Sequence, residues 1–164
     1  MEKVLSYIET NKQRYLSELK DFLAIPSVSS QSNHNGDMQQ CAQWIADHMN
    51  TIGMQNIKIM PTAGHPVVYS EWLGAPGAPT VLFYGHYDVQ PEDPINLWTS
   101  PPFEMSVRGE NIYARGSVDD KGQVFIHFKG IEALMKHYGK LPVNIKMLIE
   151  GEEEIGSQIL ENFV

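Results

Sequence analysis

The stretch that decides the fold of this chain is PTVLFYGHYDVQPED, residues 79–93. Residues 80–84 are apolar and partly β-branched, a pattern typical of a short buried strand that ends at Gly85. His86 and Asp88 follow two residues apart, so in an extended chain their side chains point to the same face. Open α/β sheets bind ligands just beyond the carboxyl ends of their strands. The stretch therefore predicts an imidazole and a carboxylate at a sheet edge, although a structural histidine fits this short pattern equally well.

The composition limits the classes of protein to consider. The 164 residues are enough for about one domain. Twelve basic and twenty acidic residues give a net charge of −8, which argues against nonspecific nucleic-acid binding and against a basic membrane-binding surface. Cys41 is the single cysteine, so no internal disulfide can form and a reducing compartment is expected. The charged N-terminus lacks the apolar segment of a signal peptide, so we expect a cytoplasmic protein.

The hydrophobic pattern predicts two helices followed by strands. Apolar residues recur at helical spacing from Val4 to Leu23, and Pro26 ends this first helix. Asp37 is the predicted N-cap of a second helix, which Gly53 ends. The remaining predicted elements are strands at 57–59, 67–73, 80–84 and 143–149, a hairpin within 103–114, and a long helix that begins at 119 or 120.

This order of elements predicts an α/β protein with a mixed, largely parallel sheet flanked by helices. We expect a three-layer α/β/α arrangement that is incomplete at its C-terminal side. If the strands at 80–84 and 143–149 run parallel, their carboxyl ends share one edge of the sheet. His86 and the acidic residues that follow Ile149 then face the same crevice.

Two further groups of acidic residues lie at the ends of predicted elements. ARGSVDDKG, residues 114–122, places Asp119 and Asp120 where a helix begins, and helix capping explains them as well as a functional role does. EGEEEIGS, residues 150–157, follows the last predicted strand. A run of glutamates is usually a solvated surface, but like charges at one strand end repel each other unless cations or protons offset them.

Together the three groups predict a hydrolytic metal centre. Imidazole and several carboxylates suit zinc or a similar divalent ion. Two ions about 3.5–4 Å apart would polarise a carbonyl group and generate hydroxide near neutral pH. A glutamate that binds neither ion could accept the proton of the water.

Four motifs carry a specific resemblance to a known family. They are GHYDVQP, W-x-S-P-P-F, Y-A-R-G-S-x-D-D-K-G-Q and E-G-x-E-E-x-G-S, in this order. The chain resembles the co-catalytic zinc exopeptidase and deacylase family, which includes carnosinases and other dipeptidases, glutamate carboxypeptidase, acetylornithine deacetylase, succinyl-diaminopimelate desuccinylase and aminoacylase. FLAIPSVS and HPVVYSEW are similar to the dipeptidase branch. The resemblance runs from about Phe22 to the end of the chain.

The resemblance implies a role for each matched residue. His86 would bind one zinc ion, and Asp88 would orient His86. Asp119 would bridge two zinc ions, and its peptide bond to Asp120 would be cis, as is common in the family. Mn²⁺ or Co²⁺ could replace the two Zn²⁺ ions.

The acidic run leaves an ambiguity of one residue. Glu153 and Glu154 stand directly before I-G-S, as the glutamate pair of the family motif does. The resemblance therefore implies that Glu153 is the general base and that Glu154 binds the second zinc ion. Glu150 and Glu152 are then surface or supporting acids.

The chain departs from the family by its length. The family's remaining zinc ligands, its lid domain, which often forms a homodimer, and further catalytic-domain strands have no counterpart in these 164 residues. We therefore expect residues 1–164 to be the N-terminal part of a catalytic domain, truncated soon after the acidic cluster at ENFV. Each zinc ion would keep two protein ligands, whereas zinc sites usually have three or four. The other histidines match no family motif and are expected to be ordinary: His34, His48, His65, His127 and His137.

The sequence thus predicts part of a dinuclear zinc hydrolase that cleaves the amide bond of a dipeptide or small peptide through metal-bound hydroxide and Glu153. By itself the chain would be inactive. One alternative is an N-acyl amino acid deacylase of the same family. Another is a receiver-like α/β module with an acidic magnesium pocket, which would be favoured if His86 and Asp119 lay far apart. A third is a truncated chain that acts only as an interaction partner.

Overall fold

A computed structural model describes residues 1–160, in which helices cover one face of a four-stranded sheet. The helices are α1 (Glu2–Thr10), α2 (Lys12–Leu23), α3 (Asn35–Thr51) and α4 (Lys121–Tyr138). The strands are β1 (Gln55–Met60), β2 (Val67–Trp72), β3 (Thr80–His86), β4 (Ser106–Arg108), β5 (Asn111–Tyr113) and β6 (Asn144–Glu150). None of these helices is both long and apolar enough to cross a membrane. The ENFV stretch that prompted the prediction of truncation lies at residues 161–164, outside the described part.

The main sheet has the strand order β1-β2-β6-β3, and β4 pairs with β5 in a separate hairpin. β3 and β6 run parallel, whereas the pairs β1–β2 and β2–β6 are antiparallel. The predicted α/β fold with a mixed sheet is confirmed. The expectation of a largely parallel sheet does not hold within residues 1–160, because only β3 and β6 are joined through a helix, α4. A parallel pair needs such a long crossover, and the short connection between β1 and β2 allows only antiparallel pairing.

The hydrophobic core lies between the sheet and the helices. Val68, Met147 and Ile149 are buried beneath α3 and α4, and α1 and α2 pack against α4. On the opposite face of the sheet Leu82 and Tyr84 are 61% and 48% exposed. The described residues therefore form two layers, and the second helical layer of the predicted three-layer arrangement stays a prediction.

Two helix boundaries differ from the predictions for local reasons. The first predicted helix is interrupted at Asn11, whose side-chain amide donates to the carbonyl oxygen of Tyr7 at 2.8 Å and so competes with continued helix. Asp37 is not an N-cap, because α3 already begins at Asn35. Its carboxylate lies in the first turn, 2.7 Å from Nδ1 of His34.

The register of β3 and β6 forms the edge on which the candidate site lies. The two strands pair from Thr80 opposite Asn144 to His86 opposite Glu150. The condition that these two strands run parallel is therefore met, and they end at the same edge of the sheet. The start of α4 packs against this edge at Gly85, where a Cβ atom would lie 2.8 Å from Oδ2 of Asp120.

Candidate metal centre

His86, the last residue of β3, has a buried ring held between two aspartates. Its Nδ1 atom lies 3.1 Å from the carbonyl oxygen of Asp88 and 3.2 Å from Oδ1 of the same residue. Its Nε2 atom lies 3.0 Å from Oδ1 of Asp119. When Nδ1 carries the proton and donates it to Asp88, the lone pair of Nε2 is directed at Asp119. This is the arrangement of a histidine that binds a metal ion through Nε2.

The neighbouring carboxylates also determine the charge of His86. Burial disfavours the cation, but the hydrogen bond and negative charge of Asp88, together with the charge of Asp120, outweigh burial and raise the pKa of His86 to about 9. Without a bound cation the ring is therefore protonated at neutral pH. A metal ion that binds Nε2 has to displace this proton.

Asp88 is completely buried and connects three parts of the chain. Its Oδ2 atom accepts hydrogen bonds from the hydroxyl of Ser29 at 2.7 Å and from the backbone N–H of Glu154 at 3.0 Å. Its Oδ1 atom accepts a hydrogen bond from the backbone N–H of Glu153 at 3.2 Å. Asp88 therefore fixes the ring of His86 and the turn that carries the two glutamates relative to each other.

Asp119 and Asp120 do not act as helix caps. No side-chain hydrogen bond caps the start of α4. Instead, Asp120 accepts a hydrogen bond from the backbone N–H of His86 at 3.1 Å, and the 73% exposed carboxylate of Asp119 lies at Nε2 of the same residue. The peptide bond between the two aspartates is cis, as the resemblance implies. Both aspartates therefore serve the end of β3 and its histidine.

Two glutamates of the acidic run are buried. Glu150 is fully buried at the end of β6, and Glu152 is buried just after it. Oε1 of Glu152 accepts the backbone N–H of His65 at 2.9 Å and thereby holds the connection between β1 and β2. The sequence left open whether these two glutamates are surface acids or supporting acids. Because both are buried, the structure favours supporting acids.

The other two glutamates lie on a short 3₁₀ turn, Glu153–Ile155. Oε2 of Glu153 is 3.8 Å from Nε2 of His86, and the side chain is 45% exposed. Glu154 points elsewhere, because its Oε2 accepts a hydrogen bond from the side-chain amide of Gln90 at 2.8 Å. The structure thus brings together His86, Asp88, Asp119 and Glu153, whereas the carboxylate of Glu154 is bonded at the margin of this group.

The donor atoms of this group fit a divalent cation. Two ligand atoms at zinc distances from one tetrahedral ion lie about 3.3 Å apart, and Nε2 of His86 and Oδ1 of Asp119 are separated by 3.0 Å. Within residues 1–160 no lysine or arginine comes within 4.0 Å of the carboxylates at this edge. His86 is therefore the one internal group within 4.0 Å of these seven carboxylates that can carry a positive charge in the described part of the chain, and most of the negative charge is left unbalanced. These carboxylates are Asp88, Asp119, Asp120, Glu150, Glu152, Glu153 and Glu154.

A second cluster of ligand-type side chains lies on the helical side, where the sequence predicted ordinary residues. Glu18, His48 and Glu132 have one ligand atom each within 4.8 Å of one another, and in the described part of the chain only this triplet meets that spacing. Lys129 occupies its centre: Nζ donates to Glu18, lies 2.8 Å from Nε2 of His48 and donates to Oε2 of Glu132 at 2.9 Å. An ammonium group therefore stands where a metal ion would bind.

Two buried polar residues near the candidate centre were not identified as supports from the sequence. Ser29 donates to Asp88, and Lys121, the first residue of α4, donates to the carbonyl oxygens of Phe22 and Ile25. One sequence feature could have pointed to this region. Gly85 has no side chain at a strand end, which is typical of a close approach by another element, here the start of α4.

The short distance between His86 and Asp119 also decides against one rival interpretation. A receiver-like module with a magnesium pocket required these residues to lie far apart, yet Nε2 and Oδ1 are 3.0 Å from each other. A magnesium pocket of this kind is built from carboxylates and needs no histidine bonded to them. The geometry therefore favours a centre built from imidazole and carboxylates.

Comparisons with known proteins agree with this geometry. Residues 82–162 match Peptidase family M20/M25/M40. All of this chain aligns with 37% of the Cys-Gly metallodipeptidase of Candida albicans at 34% identity, and with 35% of the human Beta-Ala-His dipeptidase at 32% identity. The crystal structure of human carnosine dipeptidase 1 superposes with a TM-score of 0.92 at 32% identity, over 99% of this chain and 37% of that chain.

These similarities extend over the whole fold and over the four motifs that contain the candidate site. The chain spans little more than a third of the length of the curated relatives that it matches. The resemblance inferred from the motifs is confirmed, and this chain belongs to peptidase family M20/M25/M40.

Proposed function

We propose that this chain is the N-terminal catalytic part of a dinuclear zinc dipeptidase. The observation that carries the proposal is the pairing of His86 Nε2 with Asp119 Oδ1 at 3.0 Å, in a group of carboxylates that has no lysine or arginine within 4.0 Å among residues 1–160. The relatives described above are Cys-Gly and Beta-Ala-His dipeptidases, which supports a dipeptide as substrate. The deacylase alternative lacks such support among these relatives.

Each residue has one task in this proposal. His86 and Asp119 would hold one zinc ion, and Asp119 and Glu154 would hold the other. Asp88 accepts the Nδ1 proton of His86 and so keeps Nε2 available as a ligand. Glu154 has to leave its hydrogen bond to Gln90 to reach the ion, and this bond is exposed enough to break.

Zinc, when bound, supplies a Lewis acid that polarises the scissile carbonyl and lowers the pKa of water. Glu153 accepts the proton of the attacking water and later delivers it to the amine that leaves. Its position suits this task, since its carboxylate faces Nε2 of His86 at 3.8 Å and is accessible to a substrate. The backbone N–H of Glu153 donates a hydrogen bond to Asp88, and this bond holds the backbone of Glu153 in place during both proton transfers.

The proposed activity is that of the whole protein and not of residues 1–164 alone. His86, Asp119 and Glu154 provide two ligands to each zinc ion, whereas three or four are usual. We therefore propose that the isolated chain binds zinc weakly and is inactive or nearly so. We propose that the remaining zinc ligands lie in the part of the whole protein that corresponds to the further length of the relatives. A lid domain that forms a homodimer is proposed to lie there too.

The test is Glu153→Ala in a protein that carries the additional length. A general base contributes about 10²–10⁴-fold to turnover, so hydrolysis of Cys-Gly or Beta-Ala-His should fall by that factor while the zinc content stays near two per chain. Glu110→Ala, in the exposed turn of the β4–β5 hairpin, is the matched control and should leave turnover unchanged. Loss of zinc from Glu153→Ala with retained turnover per bound ion would contradict the proposed role.

A further inference from the structure

Glu150 is a buried acid to which the mechanism gives no task. It is the last residue of β6 and lies opposite His86 in the sheet. The hydroxyls of Tyr84 and Ser157 both donate to its Oε1 atom, the latter at 2.8 Å. Oε2 has no hydrogen-bond partner among residues 1–160. A buried carboxylate that is bonded through one oxygen only calls for an explanation.

The two hydroxyl bonds join separate elements to the same atom. Tyr84 lies on β3, two residues before His86, while Ser157 follows the 3₁₀ turn that carries Glu153 and Glu154. Glu150 therefore connects the strand of the histidine to the turn of the two glutamates. This connection is independent of Asp88, which binds the opposite end of the same turn through the backbone N–H groups of residues 153 and 154.

The backbone beyond the turn needs this second attachment. Gly156 has φ +97° and Ser157 has φ +50°, so the chain passes through the left-handed region at two successive residues. This region is unfavourable for serine and persists only where contacts hold it. Ser157 is held by its backbone N–H bond to the carbonyl oxygen of Glu152 at 2.8 Å, by the N–H of Leu160, which donates to its carbonyl oxygen at 2.9 Å, and by its hydroxyl bond to Glu150. Of these bonds, only the one to Glu150 uses the side chain.

We propose that Glu150 is a positioning residue of the metal centre. Through Oε1 it holds Ser157, and Ser157 holds the turn in the conformation that places Glu153 beside His86 and the backbone of Glu154 at Asp88. Tyr84 in turn fixes the carboxyl group of Glu150. The inference rests on the proposed function, because the turn matters only if its glutamates bind or serve zinc.

The proposal assigns the task to an acceptor oxygen and not to a charge. Glutamine at position 150 keeps an acceptor oxygen for both hydroxyls, whereas alanine removes it. Glu150→Gln should therefore behave like the unaltered protein, and Glu150→Ala should not. A direct ligand role for Oε2 predicts the opposite for glutamine, because an amide is a poor zinc ligand.

The experiment measures zinc affinity by competition with a chromophoric chelator, together with hydrogen exchange of the amides at 153–157. Glu150→Ala, Ser157→Ala and Tyr84→Phe should each weaken zinc binding by about tenfold, the lower range for residues that support metal ligands. The same variants should speed exchange in the turn by at least tenfold, with exchange in the helices unchanged. Glu150→Gln should stay within about threefold of the unaltered protein in both measurements.

Tyr69→Phe is the matched control. It removes the same kind of bond on the same face of the sheet, since the hydroxyl of Tyr69 donates to Oε2 of Glu71 at 2.5 Å, but Glu71 has no contact with the turn. This control should change neither zinc affinity nor exchange at 153–157.

Two results would overturn the proposal. In the first, Ser157→Ala and Glu150→Ala have the same zinc affinity as Tyr69→Phe and the same rate of hydrogen exchange at residues 153–157. The other is a loss in Glu150→Gln as large as that in Glu150→Ala. If the unaltered protein binds no zinc, the proposed function fails, and hydrogen exchange still decides whether Glu150 holds the turn.

Discussion

Two clusters of histidine and carboxylate side chains in this molecule differ in the source of their positive charge. On the helical side, Glu18, His48 and Glu132 surround the ammonium group of Lys129. At the sheet edge, the carboxylates around His86 have no lysine or arginine within 4.0 Å in the described part of the chain. Ligand-type residues are therefore available in both places, and among the described residues only the sheet edge lacks a lysine or arginine within this distance.

The titration behaviour follows this difference. On the helical side burial opposes ionisation, but the ion pairs with Lys129 and Arg14 outweigh it and lower the pKa values of Glu18 and Glu132. At the sheet edge the surplus carboxylates instead raise the pKa of His86 to about 9, after the opposing effect of burial. In the helical cluster, Lys129 and Arg14 balance the charges of the two glutamates. At the sheet edge, His86 takes up a proton when no metal ion is bound. This comparison indicates that spacing of ligand atoms alone does not identify a metal site.

The largest expected effect is the loss of the internal cation. Lys129→Met leaves two largely buried carboxylates without their ammonium partner, and breaking a buried ion pair in this way typically costs about 3–5 kcal/mol. Urea unfolding should show this decrease in the free energy of unfolding. Adding zinc should restore part of it, because the position of the ammonium group between Glu18, His48 and Glu132 is then vacant, while Arg14 still pairs with the other oxygen of each glutamate.

Lys136→Met is the matched control on the same helix, since Lys136 is exposed. It should change the free energy of unfolding by less than about 0.5 kcal/mol. A decrease of less than 1 kcal/mol in Lys129→Met, or zinc stabilisation of the control as large as that of the variant, would show that Lys129 is not the counter-ion of the cluster.

The next effect is a dependence of stability on pH that arises from His48. Burial, followed by the charge of Lys129, lowers the pKa of His48 from 6.5 to about 4. In the unfolded chain a histidine titrates near pH 6.5, so protonation between these values favours unfolding. The contribution of neutral His48, about 3 kcal/mol, is therefore fully present above pH 6.5 and is lost as pH falls through about 4.

Unfolding of the unaltered protein and of His48→Gln between pH 4 and pH 7 measures this contribution. The difference in stability between the two proteins should shrink towards low pH. His137→Gln, at the exposed end of α4, serves as the control for general effects of removing a histidine. A constant difference over the whole range would contradict the assignment to His48.

The smallest of the three effects concerns the support of the sheet-edge site. Asp88→Asn keeps the shape of the side chain but turns an amide NH₂ towards either the N–H of Glu153 or the N–H of Glu154. Replacing a residue that orients metal ligands typically weakens metal binding about 10–100-fold. Asp47→Asn on the exposed face of α3 is the control and should bind zinc like the unaltered protein. Equal zinc affinity in both variants would show that Asp88 does not support the metal ligands.

Most residues of the sheet-edge site could be predicted from the sequence, but few of those in the helical cluster could. His86, Asp88, Asp119 and Glu153 all stand at the ends of elements whose pattern was clear. The parallel pairing of β3 with β6, which the sequence argument only assumed, brings them to one edge. The support of Glu150 by Tyr84 depends on strand register and was not visible in the pattern. A slip of one residue between these strands would reverse the faces on which the side chains lie.

The helical cluster could not be anticipated for a different reason. Glu18, His48 and Lys129 lie on three helices, far apart in the chain, and each fits an ordinary amphipathic pattern. Only the packing of α2, α3 and α4 brings them together. The break at Asn11 was missed similarly, since a side chain that bonds its own helix leaves the hydrophobic spacing unchanged.

The most direct test of the account is a zinc titration of the unaltered chain, His86→Ala and Glu18→Gln, followed by calorimetry at pH 7.5. The account predicts that His86→Ala weakens zinc binding at least tenfold, because His86 supplies a ligand atom at the sheet edge. Glu18→Gln should bind zinc as the unaltered chain does, because Lys129 fills the helical cluster. Equal affinity in the unaltered chain and His86→Ala, or loss of binding in Glu18→Gln alone, would contradict it.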